Sequence, residues 1–76
     1  MKADDLLDIM TAHLVRTYGG SRFVWRRRVG SVHIYGTDTH PHCNWTLTPT
    51  GTSAQVEVIE TLLDELRLQH PMLTRD

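Results

Sequence analysis

Apolar residues recur with a helical period at both ends of this chain and not in its middle, and that contrast constrains the fold more than any other feature. Between positions 3 and 18, at about 100° per residue, Ile9, His13, Leu6, Thr17, Met10, Ala3, Leu14, Leu7 and Tyr18 share one side. Asp4, Asp5, Asp8 and Arg16 occupy the other. The early aspartates suit the positive end of a helix dipole, and Gly19 and Gly20 supply the left-handed backbone that ends a helix. A second helix is predicted over 53–70: Thr52 with Gln55 three positions later is a capping-box pattern, and Pro71 forbids continuation. Val56, Ile59, Leu62, Leu63 and Leu66 form its apolar arc, Glu57, Glu60 and Asp64 an acidic stripe opposite, and Leu68 falls off the arc towards solvent.

Between the helices the residues become aromatic, β-branched and threonine-rich, with breaks at Val29, Gly30 and Ser31 and again over 36–41. This predicts three short strands at 22–28, 32–37 and 42–48, closed by Pro49, Thr50 and Gly51. The expected fold class is α+β: a two-layer sandwich in which a three-stranded antiparallel meander carries two helices on one face, in the order αβββα. Seventy-six residues make one domain, 1–76, with no room for a second core. The last residues, 73–76, are expected to fray.

Alternation along the strands assigns side chains to faces. Phe23, Trp25, Val32, Ile34, Cys43, Trp45 and Leu47 form the apolar set expected to meet the helices, with the two tryptophans at the centre of the core. The opposite parity gathers Arg22, Val24, Arg26, Arg28, His33, Tyr35, His42, Asn44, Thr46 and Thr48 on a basic and aromatic face. Arg27 breaks the alternation, which suggests a bulge or strand end there. The charge is polarised in the same sense. Residues 20–50 carry four arginines against Asp38 alone, +3, whereas residues 1–19 total −1 and residues 51–76 total −3, for a net −1.

Asp38, His40, His42 and Cys43 lie within six positions and invite a metal reading, since imidazole, thiolate and carboxylate are the usual zinc ligands. Strand parity separates His42 from Cys43. The version that survives takes His33, His40 and His42, brought to one face by a hairpin with Tyr35 opposite His42; an ordinary turn with exposed histidines is the competing account. Cys43, the single cysteine, excludes an internal disulfide and points to a reducing compartment. It reads as a small buried hydrophobe, and His13 and His70 read as packing or capping residues.

The order helix, three strands, helix resembles that of double-stranded RNA-binding domains over nearly the whole chain. Those domains place lysines at the start of their second helix; here that position reads Ser53, Ala54, Gln55, Val56, Glu57, so the resemblance implies the architecture and not the RNA grip. Catalysis is not expected, because a thin two-layer domain offers little concavity and no carboxylate pair or Gly-rich phosphate loop stands among the strands. No cofactor is implied. The reading is a small non-catalytic module that engages a protein partner through Arg22, Arg26, Arg28, His33, Tyr35 and His42, in the manner of a stoichiometric inhibitor from a mobile genetic element. Single-stranded nucleic acid on the same face is the alternative, with Tyr35 or His33 stacking on bases; metal binding by His33, His40 and His42 is a further one. Homodimerisation through the sheet or its edge is also open. Neither a signal peptide nor a membrane span is legible, so the expected location is the cytoplasm.

Overall fold

A computed structural model describes residues 1–75. Helix α1 (Ala3–Tyr18) is followed by a second helix, α2 (Arg22–Val29), then by strands β1 (His33–Ile34) and β2 (Trp45–Thr46), and finally by helix α3 (Ser53–Gln69). The two strands form one antiparallel pair, with His33 opposite Thr46 and Ile34 opposite Trp45. The expected αβββα order is therefore corrected to ααββα. Among the described residues there is no three-stranded meander and no two-layer sandwich with helices on one sheet face, and the likeness in element order to double-stranded RNA-binding domains goes with it.

Segment 22–28 is helical because its inward residues are spaced by four. Trp25 and Val29 are both buried, which suits a period of 3.6, while Phe23, two positions from Trp25, is 69% exposed where an alternating strand would bury it. The ends are well made. Ser21 caps the start by accepting from the Phe23 N–H (3.2 Å), and Gly30, at φ +76°, follows the last turn and donates to the Arg26 carbonyl (3.1 Å). Arg26, Arg27 and Arg28 sit in the last turn, at the negative end of the dipole.

Helices α1 and α3 begin and end close to their expected positions. On α1 the buried stripe is Leu6, Leu7, Met10, Thr11 and Leu14, rotated from the expected arc so that Ile9, His13 and Thr17 lie in solvent. Thr11 reconciles its hydroxyl with the core by donating to the Leu7 carbonyl (2.6 Å). On α3 both halves of the Thr52–Gln55 capping box are made, at 3.2 and 3.0 Å. Ile59, Leu62, Leu63 and Leu66 are buried, and Leu68 is 86% exposed, as its position off the arc predicts.

The hairpin closes differently from the expected one. Strands anticipated at 32–37 and 42–48 shrink to two residues each, and the Tyr35 N–H donates to the Asn44 carbonyl (2.7 Å), so Tyr35 faces Asn44 and not His42. The connection is held by the Gly36 carbonyl, which accepts from the His40 N–H (2.9 Å) and the Thr39 hydroxyl (3.1 Å).

The segment after α3, expected to fray, is bonded to the body of the fold at Leu73 and Thr74, and Asp76 lies outside the described residues. Leu73 is 3% exposed, and its N–H and carbonyl are both bonded by the buried Asn44 side chain, at 2.8 and 2.9 Å. Thr74 pairs with the N-terminus, accepting from the Ala3 N–H (3.1 Å) and donating to the Met1 carbonyl (3.0 Å). Trp45, fully buried, donates its indole N–H to the His70 carbonyl (2.7 Å). Trp25 likewise donates to the Gly19 carbonyl (2.8 Å). Both tryptophans lie in the core, with Val32, Ile34 and Cys43 packed at its margin.

Replacing Asn44 by Ala strands the Leu73 amide and carbonyl in the core. We expect a loss of about 2–4 kcal/mol in urea denaturation, with faster proteolysis beyond Pro71. Leu68→Ala should stay within about 0.5 kcal/mol of the parent in the same measurement at concentrations where the chain is monomeric.

Candidate protein-binding face on helix α2

The residues expected to form one basic and aromatic face divide into four groups, because the parity that joined them applies to a strand and 22–28 is a helix. Arg22 and Arg26 lean on α1: Arg22 lies 3.5 Å from Asp8, and Arg26 lies 3.3 Å from Asp8 and 4.0 Å from Asp4. These pairs are solvent-exposed, and each contributes no more than about 1 kcal/mol. Arg28 turns to the other flank of α2. Its carbonyl accepts from the Thr50 N–H (2.8 Å), its side chain packs beneath Gly51, and its Nε is buried with no hydrogen-bond partner among the described residues. A side chain at Gly51 has no room, since its Cβ would stand 2.8 Å from Arg28 Cδ, and the φ of +123° already favours glycine.

His33 and Tyr35 belong to the hairpin. Tyr35 is stacked within the molecule against His40, with ring centroids 4.2 Å apart and planes 19° from parallel, and His33 approaches at 4.5 Å and 57°. Thr39 Oγ1 lies 3.0 Å from His40 Nδ1 and fixes that ring. His42 lies elsewhere, in an open cleft of about 600 Å³ shared with Cys43, Asp64, Arg67, Leu68 and Pro71. Tyr35 therefore contacts both His33 and His40, while His42 lines a separate cleft. Among the described residues no three His, Cys, Asp or Glu side chains are grouped so as to hold a metal ion. Cys43 is half-buried, and its sulfur accepts from Arg67 Nε (3.3 Å).

The face that strand parity concealed is the outward side of α2. Arg27 lies two positions from both Trp25 and Val29, so at about 100° per residue it points about 160° away from each. Phe23 and Val24 flank it, 69% and 41% exposed. The Arg27 guanidinium lies over the Phe23 ring at 5.8 Å from its centroid, a cation–π contact of about 0.5–1 kcal/mol at an exposed site. Arg22 and Arg26 border this face on the α1 side. The helical spacing of Trp25 and Val29, bracketed by Ser21 and Gly30, is the signal that would have revealed it.

In dilute solution, where no second molecule covers α2, Phe23→Ala and Arg27→Glu should each change unfolding stability by less than about 1 kcal/mol, whereas Trp25→Ala should cost about 3–5 kcal/mol. A strand at 22–28 would bury positions 23 and 25 alike and make both aromatic truncations costly, so urea denaturation of the two variants separates the arrangements.

In comparisons with protein-family models, with curated proteins and with solved structures, the chain matches none.

Proposed function

We propose that this chain is a non-catalytic protein-binding module that meets an acidic, partly apolar protein surface with the outer face of α2, formed by Phe23, Val24 and Arg27 and bordered by Arg22 and Arg26. The observation that carries the reading is Phe23, held in solvent beneath a guanidinium on a helix whose other side is anchored in the core. Aromatic and arginine side chains are the types enriched at the centres of protein interfaces, where a rigid ring adds contact area at little entropic cost. The setting of α2 favours protein over nucleic acid as its ligand. Asp4 and Asp8 stand beside Arg22 and Arg26 and offset their charge, which weakens the attraction for phosphate on which nucleic-acid binding depends. Tyr35, the candidate base-stacking ring, is already packed against His40.

A photo-crosslinking amino acid in place of Val24, introduced in the host cell, should give a discrete protein adduct that is lost when Arg27→Glu or Phe23→Ala is added. The same label in place of Thr17, exposed on α1 and away from α2's outer face, serves as the comparison. Adducts that ignore both substitutions, or adducts to nucleic acid with a salt-dependent affinity for oligonucleotides, would overturn the reading.

A further inference from the structure

The outer face of α3 complements that of α2 in both charge and apolar position. Glu57, Glu60 and Asp64 stand exposed along the side of α3 opposite Ile59, Leu62, Leu63 and Leu66, and the stripe ends in Leu68, the most exposed of the chain's large hydrophobic residues among those described. On α2 the apolar Phe23 and the cationic Arg27 are four residues apart; on α3 the anionic Asp64 and the apolar Leu68 are four residues apart. Four residues of helix rise about 6 Å, so the two faces share one spacing. Laid antiparallel, they bring Phe23 to Leu68 and Arg27 to Asp64 in a single register.

We infer that the acidic surface taken by α2 is the α3 face of a second copy of this chain, so that the protein self-associates through reciprocal α2–α3 contacts. The inference rests on the reading of α2 as a protein-binding face and names its occupant. An eight-residue helix is only about 12 Å long, and one such contact falls well short of the roughly 800 Å² per partner of a standard interface. The contact is therefore made twice, about a twofold axis, with α2 of each copy on α3 of the other. The same helices touch within one copy, where the Arg28 side chain lies against the loop that opens α3.

Sedimentation equilibrium of the full chain, over a wide concentration range and at low and high salt, tests this directly. The parent should form a dimer that weakens as salt rises. Arg27→Glu and Asp64→Arg should each weaken association by about tenfold or more, since each places like charges face to face. Mixing the two variants should restore it, because every α2–α3 contact in the mixed pair is again between opposite charges. Circular dichroism establishes that both variants are folded. A parent that is monomeric at every concentration overturns the inference, as does a dimer indifferent to Arg27→Glu or a mixture that does not recover. In those cases the protein adducts at position 24 decide separately whether α2 binds some other protein, so the two failures are distinguishable.

Discussion

The fold depends on what Asn44 and Trp45 do together at the start of β2. Asn44 spends its side chain on both backbone groups of Leu73, and its own N–H donates to the Pro71 carbonyl (3.0 Å). Trp45 fills the centre of the core and bonds the carbonyl of His70, the residue that ends α3. Two consecutive residues thus bind the end of α3 and the C-terminal segment to the hairpin. That segment in turn holds the start of α1 through Thr74. A chain of this size buries a modest share of its surface, and a polar bridge in the core is favourable only when each of its groups is bonded. Here Asn44 Nδ2 and Oδ1 and the Trp45 indole each find a backbone partner.

That bridge leaves α2 held by a different set of contacts. Trp25 and Val29 face inward, the Trp25 indole reaches back to Gly19, and the flanking arginines settle against α1 on one side and under Gly51 on the other. Once those positions are committed, the helical period leaves Phe23, Val24 and Arg27 nowhere to point but outward. The exposed aromatic is therefore a consequence of where α2 is anchored, and repacking within the same fold cannot hide it.

How much of this was legible depends on the length of each pattern. Helical periodicity sustained over sixteen and seventeen residues, with Gly19 after one helix and Thr52, Gln55 and Pro71 around the other, identifies α1 and α3 without ambiguity. Residues 22–29 are too few for period alone to decide, since Phe23 and Trp25 fit an alternating strand while Trp25 and Val29 fit a helix. The caps at Ser21 and Gly30 carried the missing information, and the misfit of Arg27 was its symptom. The hairpin register failed for another reason: local bonds from Thr39 and His40 to Gly36 lengthen the turn and start the ladder at Tyr35 and Asn44. Leu73 was illegible because its partner stands 29 positions away, beyond any local window. The candidate site inherited these errors, as the three arginines that parity placed on one sheet face lie on two flanks of a helix, Arg22 and Arg26 towards α1 and Arg28 towards Gly51.

An exposed phenylalanine is not neutral in a chain with so small a core. Burying such a ring is worth about 1.5–3 kcal/mol, a sizeable fraction of the stability of a small domain, and that gain is forgone as long as the ring faces water. Arg27 recovers a part of it by lying over the ring, and its charge keeps the patch soluble. The remainder is recovered only against another surface. The same geometry that leaves Phe23 unsatisfied in the isolated chain leaves Leu68 unsatisfied on α3, each with an ionic neighbour one turn away and of opposite sign. Association that buries both rewards apolar contact and charge pairing at once, whereas burial of either face against a surface lacking the matching charge would leave a guanidinium or a carboxylate desolvated and unpaired. The requirement that both be met in one register is what makes such a contact selective.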